Sequence, residues 1–98
     1  MKPETYFKMR VMRRLAMFDQ LWVFKTQMVA RLGIPDLIGV YRGRFFAWEL
    51  KSKEGSPSQI QSWTLTKIQE AGGIGEVVYP ENFEEKLAEL LAPSTFVP

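Results

Sequence analysis

Two strand-like runs, Asp36-Leu37-Ile38-Gly39-Val40-Tyr41 and Arg44-Phe45-Phe46-Ala47-Trp48-Glu49-Leu50-Lys51, flank the dipeptide Arg42-Gly43. Short β-rich runs around a glycine-bearing turn pair as a hairpin, and a hairpin has a calculable register. If the turn is symmetric about Arg42 and Gly43, Tyr41 faces Arg44, opposed positions add to 85, and Asp36 lies opposite Glu49. A symmetric four-residue loop leads to the same pairing. Alternation then puts Asp36, Ile38 and Val40 on one face with Phe45, Ala47, Glu49 and Lys51, and Leu37, Phe46, Trp48 and Leu50 on the other. Two carboxylates and one ammonium therefore meet at one end of one face.

The rest of the chain supplies partners for this hairpin. Pro3 suits a first helical turn, and Glu4, Phe7, Val11, Leu15 and Phe18 form one stripe of a helix over residues 3–18. Glu4 is the anomaly in that apolar stripe. Residues 21–28 read as a strand. Ser58 with Gln61 forms a capping box for a helix running to about Ala71, with Gln61, Thr64, Leu65 and Ile68 on one side, and Gly72-Gly73 stops it. A short strand over 75–79 follows. Asn82 with Glu85 makes a second capping box, opening a helix that turns Phe83, Leu87, Leu90 and Leu91 inward. The order α-β-β-β-α-β-α specifies a small α/β fold with a mixed sheet flanked by helices. A single domain over 1–92 with a tail at 93–98 is expected. Trp22, Trp48 and Trp63 fall at spacings typical of core aromatics.

The 98 residues contain neither cysteine nor histidine, which removes disulfides, thiol nucleophiles, imidazole catalysis and structural zinc together. The longest apolar runs, such as Leu21-Trp22-Val23-Phe24, are too short to span a bilayer, and no secretory leader pattern is present. A non-membrane, cytoplasmic protein is expected. Charge is unevenly spread: residues 1–31 carry seven Lys and Arg against Glu4 and Asp19, whereas residues 81–98 carry Lys86 against four glutamates. The basic first third suits an anionic partner, phosphate above all. Arg10, Arg13, Arg14, Arg31, Arg42 and Arg44 are candidates for contact with a DNA backbone, and Lys25 for a phosphate beside the site. Such binding weakens steeply as salt rises.

Like charges opposed across two strands are destabilising, so Asp36 and Glu49 demand compensation. Lys51 is one compensator, and a divalent cation such as Mg²⁺ or Mn²⁺ is another. Carboxylates that hold a metal beside an ammonium suit phosphodiester hydrolysis, which needs no histidine.

In chain order, Gly33-Ile34-Pro35-Asp36-Leu37, Glu49-Leu50-Lys51, Ser58-Gln59-Ile60-Gln61, Ala71-Gly72-Gly73 and Val77-Val78 resemble the virus-type replication-repair nuclease (VRR-NUC) domain. That family is a branch of the PD-(D/E)xK phosphodiesterase superfamily, and the likeness runs from about Glu4 to Val78. It implies a small restriction-endonuclease-like fold, with Asp36, Glu49 and the Leu50 backbone carbonyl as metal ligands and Lys51 as the catalytic lysine. It also implies that Gln61 lines the site from its helix and that Glu4 is the acid that completes the site from the first helix. Stand-alone members of this kind, often encoded by phages, are similar to Holliday-junction resolvases in acting as homodimers on branched DNA. The resemblance therefore implies an Mg²⁺- or Mn²⁺-dependent DNA endonuclease. Flap, nick or restriction-like cleavage by the same site is the alternative within the enzyme class, and a non-catalytic DNA-binding protein is the alternative outside it.

Overall fold

The computed structural model describes residues 2–27 and 32–93. Its elements run α1 (Pro3–Leu15), β1 (Leu21–Lys25), β2 (Leu37–Tyr41), β3 (Arg44–Leu50), α2 (Gln59–Glu70), β4 (Ile74–Val78) and α3 (Phe83–Leu91), in the expected order. The four strands form one sheet in the order β1-β2-β3-β4. The first three strands are an antiparallel meander, while β4 joins β3 in parallel after the α2 crossover, which makes the sheet mixed.

The hairpin register is the one expected, with Tyr41 opposite Arg44 and Leu37 opposite Trp48. Its turn is closed by two residues with positive φ, Arg42 at 49° and Gly43 at 87°. That is the twist-compatible turn of two-residue hairpins, and glycine takes its second position without steric cost. Leu37, Phe46, Trp48 and Leu50 share one face, where Phe7, Val11 and Leu15 of α1 and Phe83, Leu87 and Leu90 of α3 cover them. Phe7 and Trp48 each meet the Phe83 ring edge-on, with centroids 6.0 and 6.2 Å apart.

The opposite face is covered only in part. α2 packs over β4 and β3, buries Leu65, and comes so close that a Cβ on Gly75 would lie 2.7 Å from the Leu65 carbonyl oxygen. Among the described residues, nothing covers that face at Trp22, Phe24 and Val40, which are exposed. Trp22 and Trp63 are accordingly 59% and 56% exposed, which corrects the expectation that they lie in the core; only Trp48 does. Periodicity identified an apolar face for them, but α2 is narrower than the sheet.

Two boundaries and one cap also differ. α1 stops at Leu15, with Phe18 still packed on the core, and β1 stops at Lys25. The Ser58–Gln61 capping box forms in both directions, with bonds of 2.9 and 3.2 Å. The one expected at Asn82 and Glu85 does not, because Asn82 Oδ1 accepts from the Tyr79 amide at 2.8 Å. With φ −109° and ψ 6°, Asn82 closes the turn around Pro80, and its side chain does not cap α3.

Candidate active site

Asp36 immediately precedes β2 and Glu49 lies near the end of β3, so the hairpin register brings their side chains together. Each is held by a backbone amide beside the other: the Asp36 N–H donates to Glu49 Oε1 at 3.2 Å, and the Leu50 N–H donates to Asp36 Oδ2 at 2.9 Å. The remaining two oxygens meet ammoniums. Lys51 Nζ is 3.1 Å from Glu49 Oε2, and Lys8 Nζ, arriving from α1, donates to Asp36 Oδ1 at 3.3 Å. Thr26 fixes the approach to β2, its amide donating to the Asp36 carbonyl at 2.9 Å and its hydroxyl to the Pro35 carbonyl.

Glu49 is 2% exposed, one of two buried polar side chains among the described residues. Burial pushes its carboxyl above the ordinary value of 4.5, the Asp36 charge adds to the rise, and the hydrogen bond from Lys51 offsets part of it. For Lys51, burial pulls the ammonium down, but the bond and charge of Glu49, with the fields of Glu4 and Asp36, outweigh it and leave the pKa raised. Lys51 is therefore a cation at neutral pH.

A carboxyl with a raised folded pKa holds its proton more tightly when folded, so its stabilising contribution is complete below 4.5 and is lost as pH rises through the folded value. In EDTA, urea midpoints of the wild type should fall across that window more than those of Glu49→Gln. Parallel curves for the two proteins would contradict the assignment.

Glu4, in the first turn of α1, lies near enough to contribute to the field on Lys51. Leu50 turns its side chain into the opposite core while its amide holds Asp36. Gln61 commits Oε1 to the Ser58 amide and makes no hydrogen bond to the acids or lysines among the described residues. Lys25 lines a hollow of about 220 Å³ with Thr5, Lys8, Gln27 and Asp36. Arg10, Arg13 and Arg14 line a cleft between α1 and α3 beside Tyr6 and Phe83. Arg10 lies over the Phe83 ring, and Arg14 lies over Phe18 and 3.5 Å from Glu84. Arg42 is exposed at the hairpin turn, whereas Arg44 donates to the Glu89 and Ala92 carbonyls and ties the hairpin to the end of α3. Arg31 and residues 94–98 of the tail lie outside the described residues.

Sequence reasoning missed Lys8 and Thr26. Lys8 follows Glu4 by one turn and so looks like its helix-surface partner. Thr26 looks like any polar residue at a strand end, and only its burial and two hydrogen bonds reveal it.

No cluster of three or more acid, histidine or cysteine side chains suited to a metal occurs among the described residues. The donor set is the carboxylate pair, and it fits a hard divalent cation. Each oxygen makes a single bond and keeps a lone pair, and added positive charge would relieve the repulsion and desolvation that raise Glu49. Among the described residues, no helix is long and apolar enough to cross a membrane.

No protein-family model and no curated protein matches the chain. A solved structure described as a VRR_NUC domain is similar to it with a TM-score of 0.77 at 22% sequence identity, covering 94% of this chain and 100% of that one. The helices, the mixed sheet and the hairpin that carries the acid pair together have the fold of a VRR_NUC domain.

Proposed function

We propose that this chain is a metal-dependent DNA endonuclease that hydrolyses phosphodiester bonds, selects branched DNA such as a Holliday junction, and works as a homodimer. The observation that carries this reading is the contact between Asp36 and Glu49, with Lys51 on Glu49, on the fold of a nuclease-family domain. Asp36, Glu49 and the Leu50 carbonyl would hold Mg²⁺ or Mn²⁺, with Glu4 completing the set from α1. A bound cation there supplies Lewis-acid polarisation of the phosphate and acidifies water.

The chain's own groups do the rest. The Lys51 ammonium, kept charged by Glu49, offsets negative charge gathering on the phosphate. Gln61 would line the site from α2, its oxygen being engaged in the cap. Arg10, Arg13, Arg14 and Lys25, with Arg31, Arg42 and Arg44, track the backbone without reading sequence. Among these, Arg42 is the more available hairpin arginine, because Arg44 is bound to α3 carbonyls.

The partner proposed for the bare sheet face is a second copy of the chain. Trp22 and Phe24 stack at 6.1 Å on β1, and with Val40 and Phe45 they form an exposed apolar surface beside a strand edge that is unpaired among the described residues. Trp22→Glu should shift the protein from dimer to monomer in sedimentation velocity; a wild type that sediments as a monomer at micromolar concentration would remove this part of the proposal.

The test of the activity is cleavage of four-way junction, flap, nicked and plain duplex DNA side by side in Mg²⁺, Mn²⁺ and EDTA. Junction cleavage that needs metal supports the reading. Preference for flap or nicked DNA would redirect the substrate class, and absence of cleavage on every DNA with either metal would leave a DNA-binding protein only.

A further inference from the structure

Lys8 bonds across the fold to an acid 28 residues away in sequence, although Glu4, its i−4 neighbour, is the partner that helix geometry offers first. With that bond each carboxylate of the pair faces an ammonium. Asp36 and Glu49 bring two negative charges, Lys8 and Lys51 bring two positive ones, and each carboxylate oxygen already has a partner. A divalent cation arriving here competes with an ammonium for each carboxylate, so its binding is favoured when one of the two ammoniums withdraws.

The two lysines are not equally able to withdraw. Lys51 is 20% exposed, sits on the strand run that carries Glu49, and bonds a carboxylate that is 2% exposed. Lys8 is 37% exposed, comes from a different element, and stands on the rim of the hollow it shares with Lys25 and Gln27. An ion pair this open to water is weak, and a lysine stem reorients at little cost.

We propose that Lys8 is a displaceable counter-ion, a positioning residue that holds Asp36 when the site is metal-free, yields when a divalent cation binds, and thereby sets the affinity for that cation. This rests on the reading of Asp36 and Glu49 as metal ligands. Lys8 itself touches neither metal nor reacting atoms. The hollow that Lys8 lines is also lined by Lys25.

The test is calorimetric titration of Mn²⁺ into the full-length wild type, Lys8→Gln and Lys8→Arg, without DNA, with circular dichroism to confirm that each is folded. Lys8→Gln should bind Mn²⁺ about fivefold more tightly than wild type, the factor by which a half-exposed ion pair competes. Lys8→Arg, which keeps the charge and bonds a carboxylate at least as well, should bind at or below the wild-type affinity. Equal or weaker binding by Lys8→Gln, with wild type binding normally, overturns the role of Lys8 alone. If neither wild type nor Lys8→Gln binds Mn²⁺, the metal-ligand reading falls and this proposal falls with it.

Discussion

Asp36→Asn and Glu49→Gln should each reduce junction cleavage by at least about 10²–10³-fold, the scale on which removal of a single electrostatic component of a hydrolytic site is felt. Both replacements keep the shape of the side chain and an oxygen able to accept the backbone amide that now holds it, so the hairpin is retained. What they remove is one of the two charges available to a cation. DNA binding should be unchanged or improved, because a negative charge near the phosphate is lost. Asp36→Asn should also stabilise the metal-free fold by about 0.5–1 kcal/mol, since it relieves opposed like charges while Lys8 returns to water. Lys51→Ala gives a contrasting pattern, a strong loss of cleavage with Mn²⁺ binding retained. Initial rates in Mg²⁺ and anisotropy with labelled junction DNA separate these effects. Wild-type cleavage by either acid variant would refute the assignment.

Trp48→Ala should cost about 3–5 kcal/mol, a large part of the roughly 5–15 kcal/mol available to a domain of this size. Trp48 is fully buried, meets Phe46 with centroids 5.4 Å apart, and is the sheet's contact with Phe83, which in turn touches Phe7 of α1. Truncation therefore hollows the junction of β3, α1 and α3 at once. The conservative Trp48→Phe should cost far less. It removes an indole Nε1 that is buried with no hydrogen-bond partner among the described residues, a burden of about 1–3 kcal/mol that offsets the smaller volume. Urea unfolding of the three proteins checks both statements. Equal midpoints for the Ala and Phe variants would show that losing the unpaired indole nitrogen does not offset the smaller volume.

The contrast between what was readable and what was not follows from range. The turn at Arg42-Gly43 and the alternation on either side are local, so the register, and with it the meeting of Asp36 and Glu49, is legible in the sequence. The Ser58–Gln61 box is equally local and formed as expected. Asn82 offered an identical local pattern, but the backbone around Pro80 made the Tyr79 amide its nearer donor. Trp22 and Trp63 failed for a different reason. Periodicity tells which residues share a face, and the width of α2 decides how much of that face is covered. Lys8 was hidden because its partner lies 28 residues away, beyond any helical spacing rule.

Asp36 and Glu49 are separated by only 13 residues, all within one hairpin. Closing that short loop ranks among the earliest and fastest events open to the chain, ahead of the crossover through α2 that delivers β4 in parallel. The electrostatic conflict is thus encountered at the zippering step itself, before α3 exists to lend support. Protonation or screening of the pair should therefore change the refolding rate in stopped-flow experiments as well as the stability of the finished fold.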